Sequence, residues 1–152
     1  MQGFLKPYAT RAGILGGIVG IVVLLLSLIP IVGLCLALLA WVVFVGAGVY
    51  AVMLGKQQGA AMTIQQGAID GAAAGGIAGV IAHIVKFIAD IIVGAFFSVG
   101  LANGAGDVTS GIAGTLIGSC IGLVLGIIAA IVLGAIGGLI YAAIQQNQQK
   151  AA

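Results

Sequence analysis

The chain has 152 residues, 62% of them apolar and 5% charged, with no glutamate. So few polar groups cannot coat a water-soluble domain of this length, and apolar runs of roughly 20 residues recur along the whole chain, as in an integral membrane protein, not once as in a leader peptide. The net charge of +2 comes from scattered residues without a basic block or interleaved aromatics, which leaves nucleic-acid binding unsupported, and the two cysteines lack zinc-ligand spacing.

The expected organisation is one integral membrane domain, 1–152, of the all-α class, with four transmembrane helices arranged as two antiparallel hairpins. Helix 1 is expected over 12–29, ending at Pro30, whose ring removes a backbone hydrogen bond. Helix 2 follows over 33–55, so "IPIVG" reads as a tight turn. The polar "KQQGAAMTIQQ", 56–66, reads as a cytoplasmic loop. Helix 3 begins at Gly67 and crosses as far as Lys86, with an extension to Leu101 that either continues the helix or lies in the interface; as one helix, 67–101 would measure ~50 Å against a ~30 Å core. The outer loop is placed at 102–110, helix 4 at 111–144, and the polar tail at 145–152. Lys6, Arg11, Lys56 and Lys150 then share one side, which the positive-inside rule makes cytoplasmic, so the expectation is a multi-pass protein of the cell (inner or plasma) membrane with both termini inside.

Glycine recurs at every fourth position in "GAIDGAAAGGIAG", at Gly67, Gly71, Gly75 and Gly79, and again in helix 4 at Gly114, Gly118, Gly122, Gly126, Gly134 and Gly138, with Ala130 filling the missing step. Pressing two helices together in lipid brings no hydrophobic gain, so close backbone approach must hold them, and glycine permits it. The spacing therefore predicts glycine-zipper packing of helices 3 and 4. Such a row drifts ~40° per step around the helix, which assigns the outer end of helix 4, Gly114 to Gly122, to helix 3. Its inner end, Gly134 and Gly138, is left to another helix of the same chain or of a second copy.

His83, Lys86 and Asp90, spaced i, i+3, i+7, fall on one face of helix 3. Three readings stand side by side: a wet rim where Lys86 snorkels and pairs with Asp90, an ion or proton pathway, or a metal or lipid-headgroup site. Asp70, three residues past Gly67, complements the helix dipole. Cys35 and Cys120 share a leaflet, so a disulfide stays open beside the role of small apolar fillers. Trp41, Phe44 and Tyr50 suit lipid-facing or core positions, and Tyr8 and Tyr141 an interfacial belt. The single histidine has no serine or cysteine at a spacing that suggests catalysis, so no enzyme activity, catalytic residue, metal or cofactor is expected.

In length, helix number and glycine rows the chain resembles the duplicated-hairpin proteolipids of rotary ATPases, but those need a carboxylate in the middle of an even-numbered helix, and helices 2 and 4 carry none over 33–55 and 111–144. It is more similar to uncharacterised small prokaryotic four-helix, glycine-rich membrane proteins, a domain of unknown function, through "SLIPIVGLCL", "GAGVYAVMLGKQQ" and "GAIDGAAAGGIAG", roughly Gly13 to Ala82. That resemblance implies topology. The expected function is a non-enzymatic structural or accessory role, with the lipid bilayer as surroundings and glycine-rich faces joining the chain to copies of itself or to other membrane subunits. The alternative is a small ion or proton channel or transporter using His83, Lys86 and Asp90.

Overall fold

A computed structural model describes residues 6–27, 30–60, 63–101 and 105–151, leaving aside the side chains of 30–38, 95, 97–101, 105–112 and 149–151. The described chain forms α1 (Pro7–Leu26), α2 (Pro30–Gln57), α3 (Ile64–Leu101) and α4 (Ala105–Ala151). A helix satisfies its backbone groups within one segment, which is what an apolar chain in hydrocarbon requires.

The helix ends follow from local chemistry. Pro7 opens α1 at a position where its missing N–H costs nothing. The Ser27 hydroxyl donates to the Leu24 carbonyl (2.6 Å) and its N–H to that of Val23 (3.0 Å), covering the last turn. α2 ends in a Schellman turn, with Gly59 at φ +75°, Ala60 N–H on the Gly55 carbonyl (3.0 Å) and Gly59 N–H on that of Lys56 (3.0 Å). α3 starts at Ile64, three residues ahead of Gly67, because the Thr63 hydroxyl accepts from the Gln66 N–H (3.2 Å) as an N-cap. The expected loop 56–66 is thus shortened at both ends, with 61–62 outside the described residues. α3 continues unbroken through the 87–101 extension. α4 takes up most of the expected loop 102–110, of which 102–104 lie outside the described residues, and runs on through the expected tail to Ala151.

α1 packs on α2 and α3, α4 packs on α3 and α2, and α2 also touches α3. Most of the buried hydrophobic side chains are alanines. Ala12, Ala51, Ala74, Ala78, Ala82 and Ala130 are buried, whereas Ile18, Val22, Trp41, Ile84, Ile92 and Ile117 are exposed. A soluble bundle has the opposite distribution. Four helical stretches are long and apolar enough to cross a membrane: Pro7–Leu26, Leu39–Gln57, Ile64–Gly94 and Ala113–Gln148.

Close backbone approach is concentrated between α3 and α4. A Cβ on Gly67 would lie 2.6 Å from that of Ala142 and 2.8 Å from the Gly138 carbonyl oxygen; one on Gly71 would run into the Gly134 carbonyl, one on Gly75 into that of Ala130, and one on Gly79 would lie 2.5 Å from the Ala130 Cβ. Positions ascend on α3 as they descend on α4, so the two run in opposite directions along the contact. This reverses the pairing expected from sequence. Gly134 and Gly138 face α3, and a Cβ on Gly114, Gly118 or Gly122 would have nothing within 4 Å among the described residues. The reason is register: α3 carries its four-spaced glycines in its first half, and an opposed partner meets that half with its own last half. Gly134 also abuts Gly48 of α2, and Gly137 the Val45 carbonyl. Gly134 is thus wedged between two helices of the same protomer.

α1 has contact glycines that the four-spaced rows do not single out. A Cβ on Gly13 would lie 2.6 Å from that of Ile77, one on Gly16 2.7 Å from that of Ala47, and one on Gly20 3.1 Å from that of Ala82.

Candidate functional site

Two polar clusters involve α3, one at Asp70 and one over 83–90, so ~20–30 Å of helix lies between their members.

The first centres on Asp70, which is 2% exposed and is the only buried charged residue among those described. It lies well inside α3, beyond the first turn, so the dipole role expected for it is replaced by specific partners. The Tyr8 hydroxyl donates to Asp70 Oδ2 at 2.6 Å, and Lys6 Nζ to the same oxygen at 3.3 Å. Tyr8 is itself buried, not part of an interfacial belt, because its ring packs inward with the hydroxyl on Asp70. The Lys6 ammonium also stands 5.5 Å from the Tyr8 ring centre.

Lys6 precedes the first spanning stretch. Burial pulls its pKa down, but the Tyr8 hydroxyl and the Asp70 carboxylate outweigh burial and leave it above the usual 10.5. Raised in the folded state, it contributes stability that is complete below its unfolded pKa and is lost as pH climbs through the raised value.

A signal for this cluster exists in the sequence. Asp70, Ala74, Ala78 and Ala82 form a second four-spaced row beside the glycines, and all four are buried. An acid that opens a row of buried alanines belongs to that face and needs a partner on the opposing helix.

The second cluster gathers the three residues expected to share a face. Lys86 Nζ and Asp90 Oδ2 form an i,i+4 ion pair at 2.5 Å, with side chains 33% and 22% exposed. His83 Nδ1 lies 2.9 Å from the Gly79 carbonyl oxygen, and its ring stacks on Phe44 of α2 at 5.8 Å between centroids. The imidazole also rests on the bare backbone of Gly126, where a Cβ would collide with Nε2. Gly126 therefore packs against a side chain, unlike the neighbouring members of its row. Lys86, Asp90 and Ser119 line a cavity of about 140 Å³, and His83 and Lys86 also border a second one of about 350 Å³.

Several expectations resolve by position. Trp41 is exposed, Phe44 buried and Tyr50 half-buried, while Tyr141 is half-buried. Cys120 is exposed and free, and the Cys35 side chain lies outside the described residues. Among the described residues no three His, Cys, Asp or Glu side chains come together as a metal site. Lys56 donates to Gln145, tying the end of α2 to α4.

Among the described residues the arrangement thus offers two ion pairs and a cavity bordered by Lys86, Asp90 and Ser119. Ala74, Ala78 and Ala82, all fully buried, fill the α3 row between Asp70 and the second cluster. Comparison with protein families, with curated proteins and with solved structures gives no match for this chain.

Proposed function

We propose that the chain is a non-enzymatic structural or accessory membrane protein, built as two antiparallel hairpins with a glycine zipper between α3 and α4, that assembles with copies of itself through the remaining glycine face of α4, or with other subunits of a membrane complex. The supporting observation is the division of the α4 glycines. Gly134 and Gly138 are used inside the protomer, whereas a Cβ on Gly114, Gly118 or Gly122 would meet nothing within 4 Å among the described residues. Exposed Ile117, Ile121 and Leu125 flank that strip, making a shallow groove that a second helix can enter more closely than lipid chains can.

Orientation follows from charge. Lys6 and Asp70 sit at the same end of the bundle as Lys56 and Gln145, and Lys86 lies toward the other. The positive-inside rule assigns the first end to the cytoplasm. In a background with Cys35 and Cys120 replaced by serine, a cysteine at Asn103 should react with an impermeant reagent from outside and one at Gln146 should not; the reverse pattern contradicts this orientation.

The second reading, a small ion or proton channel or transporter, draws support from the cavities beside His83, Lys86 and Asp90. A conducting path needs polar lining through both leaflets, and the alanine row of α3 offers none between the two clusters. The expected result in liposomes is no ion flux above empty vesicles. Flux that disappears in His83→Ala would replace the structural reading by the channel.

A further inference from the structure

The two cavities at the His83 end share Leu24, His83 and Lys86 and follow one another along α4. The polar one is bordered by Asp90, Ser119 and Gly122, and its Lys86 lies one ~30 Å hydrocarbon thickness along α3 from Gly67. The larger is walled by Trp41, Phe44, Leu125, Ala129 and Leu133, so Ser119 to Leu133 covers ~20 Å of helix directed away from that end. A cavity bordered by the Lys86–Asp90 pair, beside a larger apolar one that shares Leu24, His83 and Lys86 with it and extends toward the middle of α4, has the layout of a membrane amphiphile.

We propose that this end of the bundle binds a zwitterionic phospholipid with a primary-ammonium head, of the phosphoethanolamine type, and draws one acyl chain between the helices. The larger cavity, about 350 Å³, lies within the ~300–1,000 Å³ range of small-ligand sites and takes part of one chain, the second staying in the bilayer.

Charge selects the head. Lys86 and Asp90 neutralise each other at 2.5 Å and both keep some exposure. A purely anionic head meets the Asp90 carboxylate, and a cationic one meets Lys86. A phosphate and an ammonium a few atoms apart exchange the one internal pair for two, phosphate to Lys86 and ammonium to Asp90. A primary ammonium also donates hydrogen bonds to Asp90, which a choline head cannot do.

The test is native mass spectrometry of the purified full chain in mild detergent, with phosphatidylethanolamine, phosphatidylcholine and phosphatidylglycerol of identical acyl chains added separately. The expected result is one retained phosphatidylethanolamine per chain, with the other two binding about tenfold or more weakly. Lys86→Gln/Asp90→Asn keeps the net charge and should bind all three lipids equally weakly. Ala129→Phe fills the apolar cavity without touching the ion pair and should lose phosphatidylethanolamine, which decides the matter should the double variant fail to fold. Equal retention of the three lipids by the wild type, no retention of any, a preference that survives the double substitution, or retention by Ala129→Phe overturns the proposal. The copy number of the chain is read from the same spectra; Gly122 borders both the cavity and the open α4 row, so Ala129→Phe, which alters the cavity alone, and Gly118→Leu, which alters the row alone, separate the lipid site from self-assembly.

Discussion

Gly134→Leu should be among the most damaging single substitutions on α4. A Cβ at that position would overlap the Gly71 carbonyl oxygen and lie 2.7 Å from the Gly75 Cα, while the Gly134 carbonyl itself abuts Gly48 of α2. All of these neighbours are backbone, so no rotamer change relieves the overlap and the helices must move apart. The loss should reach or exceed the ~1–3 kcal/mol of an overpacked core, because separation forfeits dispersion contacts along the whole groove. Gly134→Ala should already destabilise, whereas Gly118→Leu, where a Cβ meets nothing within 4 Å among the described residues, should leave protomer stability unchanged. Thermal unfolding in detergent measures all three. Equal stability of Gly134→Leu and wild type would mean that the α3–α4 contact does not hold the protomer together.

Asp70→Ala should be the most damaging polar substitution. It leaves the buried Tyr8 hydroxyl without its acceptor and removes the partner of Lys6. The expected loss is ~2–3 kcal/mol: a broken buried pair costs ~3–5 kcal/mol, and Lys6, with a side chain 22% exposed, recovers part of its hydration by moving outward. Tyr8→Phe alone should be milder. Combining it with Asp70→Leu should recover much of the loss, since no buried group is then left unpaired, although Leu must fit a site shaped for a carboxylate. A double variant less stable than Asp70→Ala would show that the cluster acts through something other than hydrogen-bond satisfaction. At the other end, the Lys86–Asp90 pair is more exposed and should contribute only ~0–1 kcal/mol to stability.

The four apolar spans were legible because each carries more apolar residues than a soluble helix buries, and "TIQQ" contained the start of α3 in its threonine cap. The face shared by His83, Lys86 and Asp90 was legible too, since i, i+3, i+7 spacing within one helix is local information. The α3–α4 pairing was a matter of register between distant segments. The glycine period fixes which face is bare but not which stretch of the partner lies against it, and only the opposed course of the two helices matches Gly67 to Gly138. Asp70 was obscured for a similar reason: its acceptor role is met by Tyr8, 62 residues earlier, and the row linking it to Ala74, Ala78 and Ala82 marks its face without naming the partner. The His83 contact with Gly126 has no local signal, since a glycine in a four-spaced row reads as a backbone contact until the opposing side chain is placed.

Self-assembly through the open half of the α4 row is tested most directly by the native mass of the purified chain in mild detergent, wild type beside Gly118→Leu. The expected result is a wild-type species at a whole multiple of the chain mass, shifted to the single chain in Gly118→Leu while thermal stability of the protomer is kept. A wild-type chain that is monomeric across detergents, or an oligomer indifferent to leucine at Gly118, would contradict assembly through Gly114, Gly118 and Gly122.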